Sequence, residues 1–265
     1  MKHTKKLIPA IGMLLLSACM LVTSTFAWFS MNTEVSATNM TITAKGDQVY
    51  LQIVRADQPF VAGSAQTTVE AVDNTGNVYV PTNVYNGIDA DGKVTAFNGT
   101  ASSLVWVTAT SNDPAFSANK DNTGIEKYTK VETSALSKYV YQTDYKLRLD
   151  PDAGNVAGGK LKVTGVAFEG TAPTDALASC VSVLIVCETE AILYKQATAG
   201  TFTPAAGSKA TLTTVGFPAG GVNKTVSVYV FFDGDNANCT TKNVKDTPYT
   251  VSVTFNVDAD APVGG

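Results

Sequence analysis

The chain has 265 residues, of which 45% are hydrophobic and 16% charged, a balance that fits one large or two small globular domains and excludes disordered and collagen-like classes. Its formal net charge of -4 argues against a nucleic-acid partner, since neutralising phosphates takes a surplus of lysine and arginine. The one histidine is His3, inside a segment that reads as a removable leader, so the mature chain has no imidazole for a His-based hydrolase or zinc protease.

The chain opens on a positive head, Lys2, Lys5 and Lys6, followed by no charged side chain until Glu34. This is the pattern of an export leader. The apolar run gives way to Thr25, Phe26 and Ala27, with small or modest side chains at Thr25 and Ala27 where a leader peptidase reads the −3 and −1 positions, and cleavage between Ala27 and Trp28 is the first expectation. Two other readings stay open: an uncleaved anchor, because the run is long enough to span a bilayer, and lipidation of Cys19 in Leu16-Ser17-Ala18-Cys19. All three place the folded part outside the cytoplasm, as a secreted or cell-surface protein. With cleavage after Ala27, the membrane is met through the leader alone, before its removal.

Residues 28–44 form an extended, threonine-rich run carrying Trp28, Phe29, Met31, Val35, Ala37, Met40 and Ile42, with Glu34 its one charge. A free apolar tail of this kind does not remain in water. It either pairs along its own sheet as a first strand or adds to the open edge of another copy, and such a head-to-tail contact repeats into a filament.

Residues 45–258 read as an all-β domain: short alternating runs rich in Val, Thr and Tyr, divided by Gly, Asn, Asp and Pro. The expected strands are Gln48–Val54, Asn77–Val80, Leu104–Thr108, Tyr139–Leu149, Lys160–Phe168, Cys180–Cys187, Ala191–Lys195, Thr225–Phe232 and Tyr249–Val257. In Tyr139–Leu149 the residues Tyr139, Tyr141, Tyr145, Leu147 and Leu149 share one face and Gln142, Asp144, Lys146 and Arg148 the other, the pattern of a half-buried antiparallel strand. Val181–Val186 is nearly all apolar and reads as covered on both faces. One short helix is expected at Thr174–Ser179, and the turn-rich stretch Pro59–Asn98 reads as an insertion. The economical fold is a two-sheet antiparallel sandwich of jelly-roll or immunoglobulin-like type, with one or two short helices and a tail at 259–265.

Chemistry-bearing patterns are sparse. No Gly-x-Ser-x-Gly or glycine-rich phosphate loop occurs. Cys180, Cys187 and Cys239 lack zinc-finger spacing and allow at most one intrachain disulfide. Cys180 and Cys187, in one predicted strand, are expected to face opposite sides, and burial as small apolar residues is the preferred reading. Asp233, Asp235, Asn236 and Asn238 put four hard oxygen donors in one loop that could hold calcium, without the downstream glutamate of an EF-hand. The same residues suit an ordinary hairpin end. Trp106, Tyr139, Tyr141, Tyr145, Tyr229 and Phe231 read either as a sugar-binding face or, more commonly, as core.

Thr25-Phe26-Ala27-Trp28-Phe29-Ser30 followed by Glu34-Val35-Ser36 resembles the leader junction of the TasA and camelysin group of exported Gram-positive proteins, which rely on a dedicated leader peptidase. Val226 to Asp235 and Val251 to Phe255 are similar to the closing strands of related surface β-sandwich proteins. The resemblance covers the junction and the last third, and implies a jelly-roll subunit of biofilm-matrix fibres whose residues 28–44 complete the sheet of the next subunit. Partners would be copies of itself and other matrix or cell-surface components. Camelysin has been described as a metalloprotease; with no histidine beyond the leader, proteolysis is not expected here. The end Asp258 to Gly265 carries no sorting motif, so covalent wall anchoring there is not expected either. The expectation is therefore a non-enzymatic fibre subunit assembled by donor-strand exchange, with calcium as its one candidate cofactor. Two alternatives remain, a monomeric surface-binding module for glycan or protein and a hydrolase using carboxylates alone.

Overall fold

Burial alternates cleanly along Val251–Val257, whereas Val181–Cys187 is buried almost throughout. The computed structural model describes residues 34–37, 42–45, 51–62, 66, 68–69, 79–109, 128–149, 159–171, 173–214, 221–236, 238–239 and 249–257. In chain order the strands are β1 Glu34–Ala37, β2 Ile42–Lys45, β3 Leu51–Arg55, β4 Thr68–Val69, β5 Asn83–Tyr85, β6 Val105–Ala109, β7 Tyr128–Lys130, β8 Val140–Leu149, β9 Leu161–Phe168, β10 Val181–Cys187, β11 Glu190–Thr198, β12 Thr201–Pro204, β13 Lys224–Phe232 and β14 Val251–Val257. They form an all-β antiparallel sandwich: one sheet in the order β4-β2-β1-β14-β9, one in the order β12-β11-β10-β13-β8-β3, and a third, small sheet β5-β6-β7.

The main core lies between the two large sheets. In β14, Val251, Val253, Phe255 and Val257 are buried while Ser252, Thr254 and Asn256 are half-exposed. The valines suit the pleat and aim at the six-stranded sheet. There they meet a buried cluster that includes Ile53, Tyr145, Leu147, Val183, Ile185, Ile192, Val226 and Val228. A second cluster lies on the far face of the same sheet, where Leu184, Leu193 and Phe231 pack with Val84 of β5 and with Trp106 of β6. Trp106 stands edge-on to Phe231 at 5.1 Å and tilted to Tyr229 at 5.5 Å. The apolar run of β10 is thus used on both faces: Val183 and Ile185 serve one core and Leu184 the other.

Several expectations need adjusting. Tyr139 does not share the buried face of β8; it ends the 3₁₀ turn Thr133–Lys138 in a helical conformation and packs against the second cluster. The expected helix at Thr174–Ser179 is a 3₁₀ turn, Ala178–Cys180. Six residues between a proline and a buried strand are too few to offset the cost of helix nucleation. Asp175 Oδ1 instead accepts the Ala178 N–H at 3.0 Å. Asn77 and Val78 lie outside the described residues, and Tyr79 and Val80 are not strand; past Pro81, which lacks a ladder donor, the strand falls at Asn83–Tyr85. The stretch expected to be an insertion thus supplies β4 and β5.

Two glycines allow a close crossing beside β11. Gly99 (φ +74) and Gly207 (φ +83) take the left-handed region, and a Cβ on Gly207 would sit 2.0 Å from the Phe97 carbonyl oxygen. Glycine is required there on both counts.

Candidate assembly edge and acidic loop

Val35 and Ala37 stand on β1 and Ile42 on β2. Ala27, Trp28, Phe29, Met31 and Met40 lie outside the described residues. The two strands form a hairpin with Val35 opposite Ala44 and Ala37 opposite Ile42. The hairpin lies within its own five-stranded sheet: β1 pairs with β14 through Val35↔Phe255 and Ser36↔Thr254, and β2 pairs with β4 through Ile42↔Val69 and Thr43↔Thr68. On its other side β14 is matched with β9 along its whole length, from Val251↔Phe168 to Val257↔Leu161, with Thr164 bulged out of the ladder. Within the single chain, the described residues 34–37 and 42–45 pair along their own sheet.

The acidic loop follows β13. Asp233 is 6% exposed. Its Oδ2 lies 2.9 Å from Lys195 Nζ and its Oδ1 accepts the Asp235 N–H at 2.9 Å. Its backbone N–H donates to the Cys180 carbonyl at 2.7 Å, and its neighbour Gly234 donates to Thr82 O at 3.0 Å. Asp235 reaches the small sheet, where Oδ1 accepts the Tyr128 hydroxyl at 2.8 Å and Oδ2 accepts the Tyr85 hydroxyl. Burial pushes the Tyr85 phenol up, and the adjacent Asp235 charge pushes it further. Asn236 Nδ2 donates to Ser179 O at 2.9 Å, Asn238 Nδ2 donates to Ser179 Oγ at 3.0 Å, and Asn236 Oδ1 accepts the Asn238 N–H at 3.0 Å. The four predicted donors therefore do share one loop, and their side chains tie it to β11, to the small sheet and to the turn before β10. Among the described residues, no three His, Cys, Asp or Glu side chains converge as a metal cluster. The calcium expectation rests on the loop's mixed carboxylate and amide oxygens.

Lys195, Tyr85 and Tyr128, the partners of that loop, carry no signal in the sequence. They come from β11, β5 and β7, and no local pattern relates them to Asp233. The aromatic stripe is packing: Tyr145 is fully buried in the main core, Tyr141 packs against it, and Trp106, Tyr139, Tyr229 and Phe231 belong to the second cluster. Cys187 closes β10 inside the main core, where burial pushes its thiol up to about 12. Cys180 sits in the 3₁₀ turn ahead of β10, not within the strand, with its thiol 3.7 Å from Ala176 O.

No known family model matches the chain, and no curated protein is significantly similar to it. Among the described residues, no helix is long and apolar enough to cross a membrane.

Proposed function

We propose that this chain is an exported, non-enzymatic subunit of surface or biofilm-matrix fibres, in which residues 28–44 of one copy complete the sheet of the next. The observation that carries the reading is where the N-terminal hairpin sits. Among the described residues it is held in the sheet by two residue pairs to β14 and two to β4. Behind it stands a seven-residue strand of alternating Val, Ser, Thr and Phe, well suited to accept a strand of the same kind from another molecule. Exchange of an element that already fits costs little beyond the connection, because the pairing given up within one chain is remade, residue for residue, in its neighbour. The resemblance at Thr25 to Ser30 and in the closing strands favours the same reading, as does a mature sequence without histidine.

The test is sedimentation and negative-stain microscopy of protein beginning at Trp28 beside protein beginning at Lys45. Filaments from the longer form alone, and recovery of the shorter form's thermal stability on adding a peptide of residues 28–45, are the expected results. Two forms that both stay monomeric across a wide concentration range, with and without calcium, would overturn the proposal and direct attention to glycan and surface-binding screens.

A further inference from the structure

The turn before β10 and the loop after β13 meet at one corner of the sandwich, and each carries a cysteine. Ser179 O and Ser179 Oγ accept the side-chain amides of Asn236 and Asn238, and Cys180 O accepts the Asp233 N–H. Cys180 and Cys239 are each one residue beyond the Ser179 to Asn238 contact, and the Cys239 N–H donates to Asn236 O at 2.9 Å, which folds Cys239 back onto the same loop. The chain also returns to this corner past Cys239. The Tyr249 hydroxyl donates to Asp175 Oδ1 at 2.6 Å, in the segment that leads into the Cys180 turn. Cys180 is buried and Cys239 half-exposed. Cys187 is at the far end of β10, about 20 Å away at the rise of a strand, and cannot join them.

We propose that Cys180 and Cys239 form an intramolecular disulfide once the protein meets oxidising surroundings, closing this corner covalently. The export reading supplies those surroundings, since disulfides persist outside the cytoplasm. The structure shows the dithiol form. Cys239, the more accessible thiol, attacks an oxidised small-molecule disulfide as its thiolate and expels one reduced thiol. Cys180, deprotonated in turn, attacks the Cys239 sulfur and expels the second. Two protein thiols are oxidised to one disulfide, one external disulfide is reduced to two thiols, and the two protons end on the leaving thiols. The closed loop holds β10, β11, β12 and β13, the centre of the six-stranded sheet.

The experiment treats folded protein with oxidised glutathione and reads intact mass, peptide maps without reduction, and melting temperature. Expected are loss of two hydrogens' mass, a linked pair of peptides containing Cys180 and Cys239, and a rise in melting temperature of about 10 °C that a reductant reverses. The Cys187→Ser variant keeps the linkage and Cys239→Ser abolishes it. Persistence of all thiols, a stable glutathione adduct on Cys239, a dimer linked through Cys239, or a bridge that includes Cys187 would each overturn the proposal. Because the oxidant is added, this result reports on the corner itself. Thiol counting on protein recovered from the culture medium reports separately on the export reading.

Discussion

Replacing Asp235 with alanine is expected to loosen the small sheet from the rest of the sandwich. Both carboxylate oxygens of Asp235 accept tyrosine hydroxyls, from Tyr85 on β5 and Tyr128 on β7. Tyr128 is 8% exposed, so its hydroxyl has little water to turn to when the carboxylate goes. Hydrogen bonds to charged acceptors contribute about 1.5 to 3 kcal/mol each, and Asp235 is itself half-exposed, so the lower figure applies. Two such bonds amount to about 3 kcal/mol, or a fall in melting temperature of roughly 6 to 12 °C for a chain of this size. Urea unfolding at neutral pH measures the loss directly. A double-mutant cycle locates it: Tyr85→Phe alone is expected to cost about 1.5 kcal/mol, and close to nothing once Asp235 is already alanine. A loss under about 1 kcal/mol for Asp235→Ala would refute the reasoning, because buried hydroxyls stripped of a charged acceptor cannot cost so little. The same melts with millimolar calcium and with a chelator separate a stitch from a cation site. A calcium-dependent rise that disappears in Asp235→Ala would make the loop a metal site whose oxygens trade their protein partners for the ion.

Gly207→Ala is expected to cost more than about 2 kcal/mol, since the left-handed conformation alone costs an L-residue about 1 to 2 kcal/mol and its Cβ would lie 2.0 Å from a carbonyl oxygen. Gly170→Ala, with φ +71 and nothing within 4 Å, isolates the conformational part at about 1 kcal/mol, and urea midpoints for the pair give the difference. Stability is also expected to fall in alkali. Burial raises the Tyr145 phenol above its ordinary 10.0 and the Cys187 thiol from 9.0 to about 12. Below pH 9 both groups are protonated in both states and contribute no slope. As pH rises through 9 and then 10 the unfolded chain gives up protons that the folded chain retains, and stability drops by about 1.4 kcal/mol per pH unit per group. Urea midpoints from pH 8 to 11 follow this, and Cys187→Val is expected to move the onset from near 9 toward 10.

The long strands β8, β9, β13 and β14 are legible in the sequence because they run far enough to write a period. Val251–Val257 alternates without a break, and the apolar run of β10 by itself announces cover on both faces. The small sheet is not legible in the same way. β5 and β7 have three residues each, too short to show alternation, and β5 follows a proline in a stretch dense with turn residues. The acidic loop is conspicuous by composition, but what its carboxylates do depends on Tyr128 and Tyr85, distant by 107 and 150 residues, and on Lys195. Spacing within a loop carries no information about partners of that kind. The displaced Tyr139 has a related cause, since a 3₁₀ turn immediately before β8 rotates the first aromatic of an otherwise regular pattern onto the other core.

The sheet edges decide what strand exchange would require. The outer edge of β3 is partly covered, its Ile53 N–H donating to Gln66 O at 2.8 Å. β14 is different: it is an interior strand because the β1–β2 hairpin stands against it. Removing the hairpin exposes on β14 a long, regular edge of high β-propensity. An edge of that kind pairs with whatever strand is offered. A chain that begins at Lys45 is therefore expected to be self-adhesive, but through β14 against β14 of a second copy. That contact uses the same surface on both molecules and closes at a dimer. Donation of residues 28–44 uses different surfaces on giver and receiver, so each copy that fills one edge leaves its own to be filled by the next. The size distribution thus discriminates better than association as such: dimers from the short form and open-ended polymers from the long one follow from the same edge.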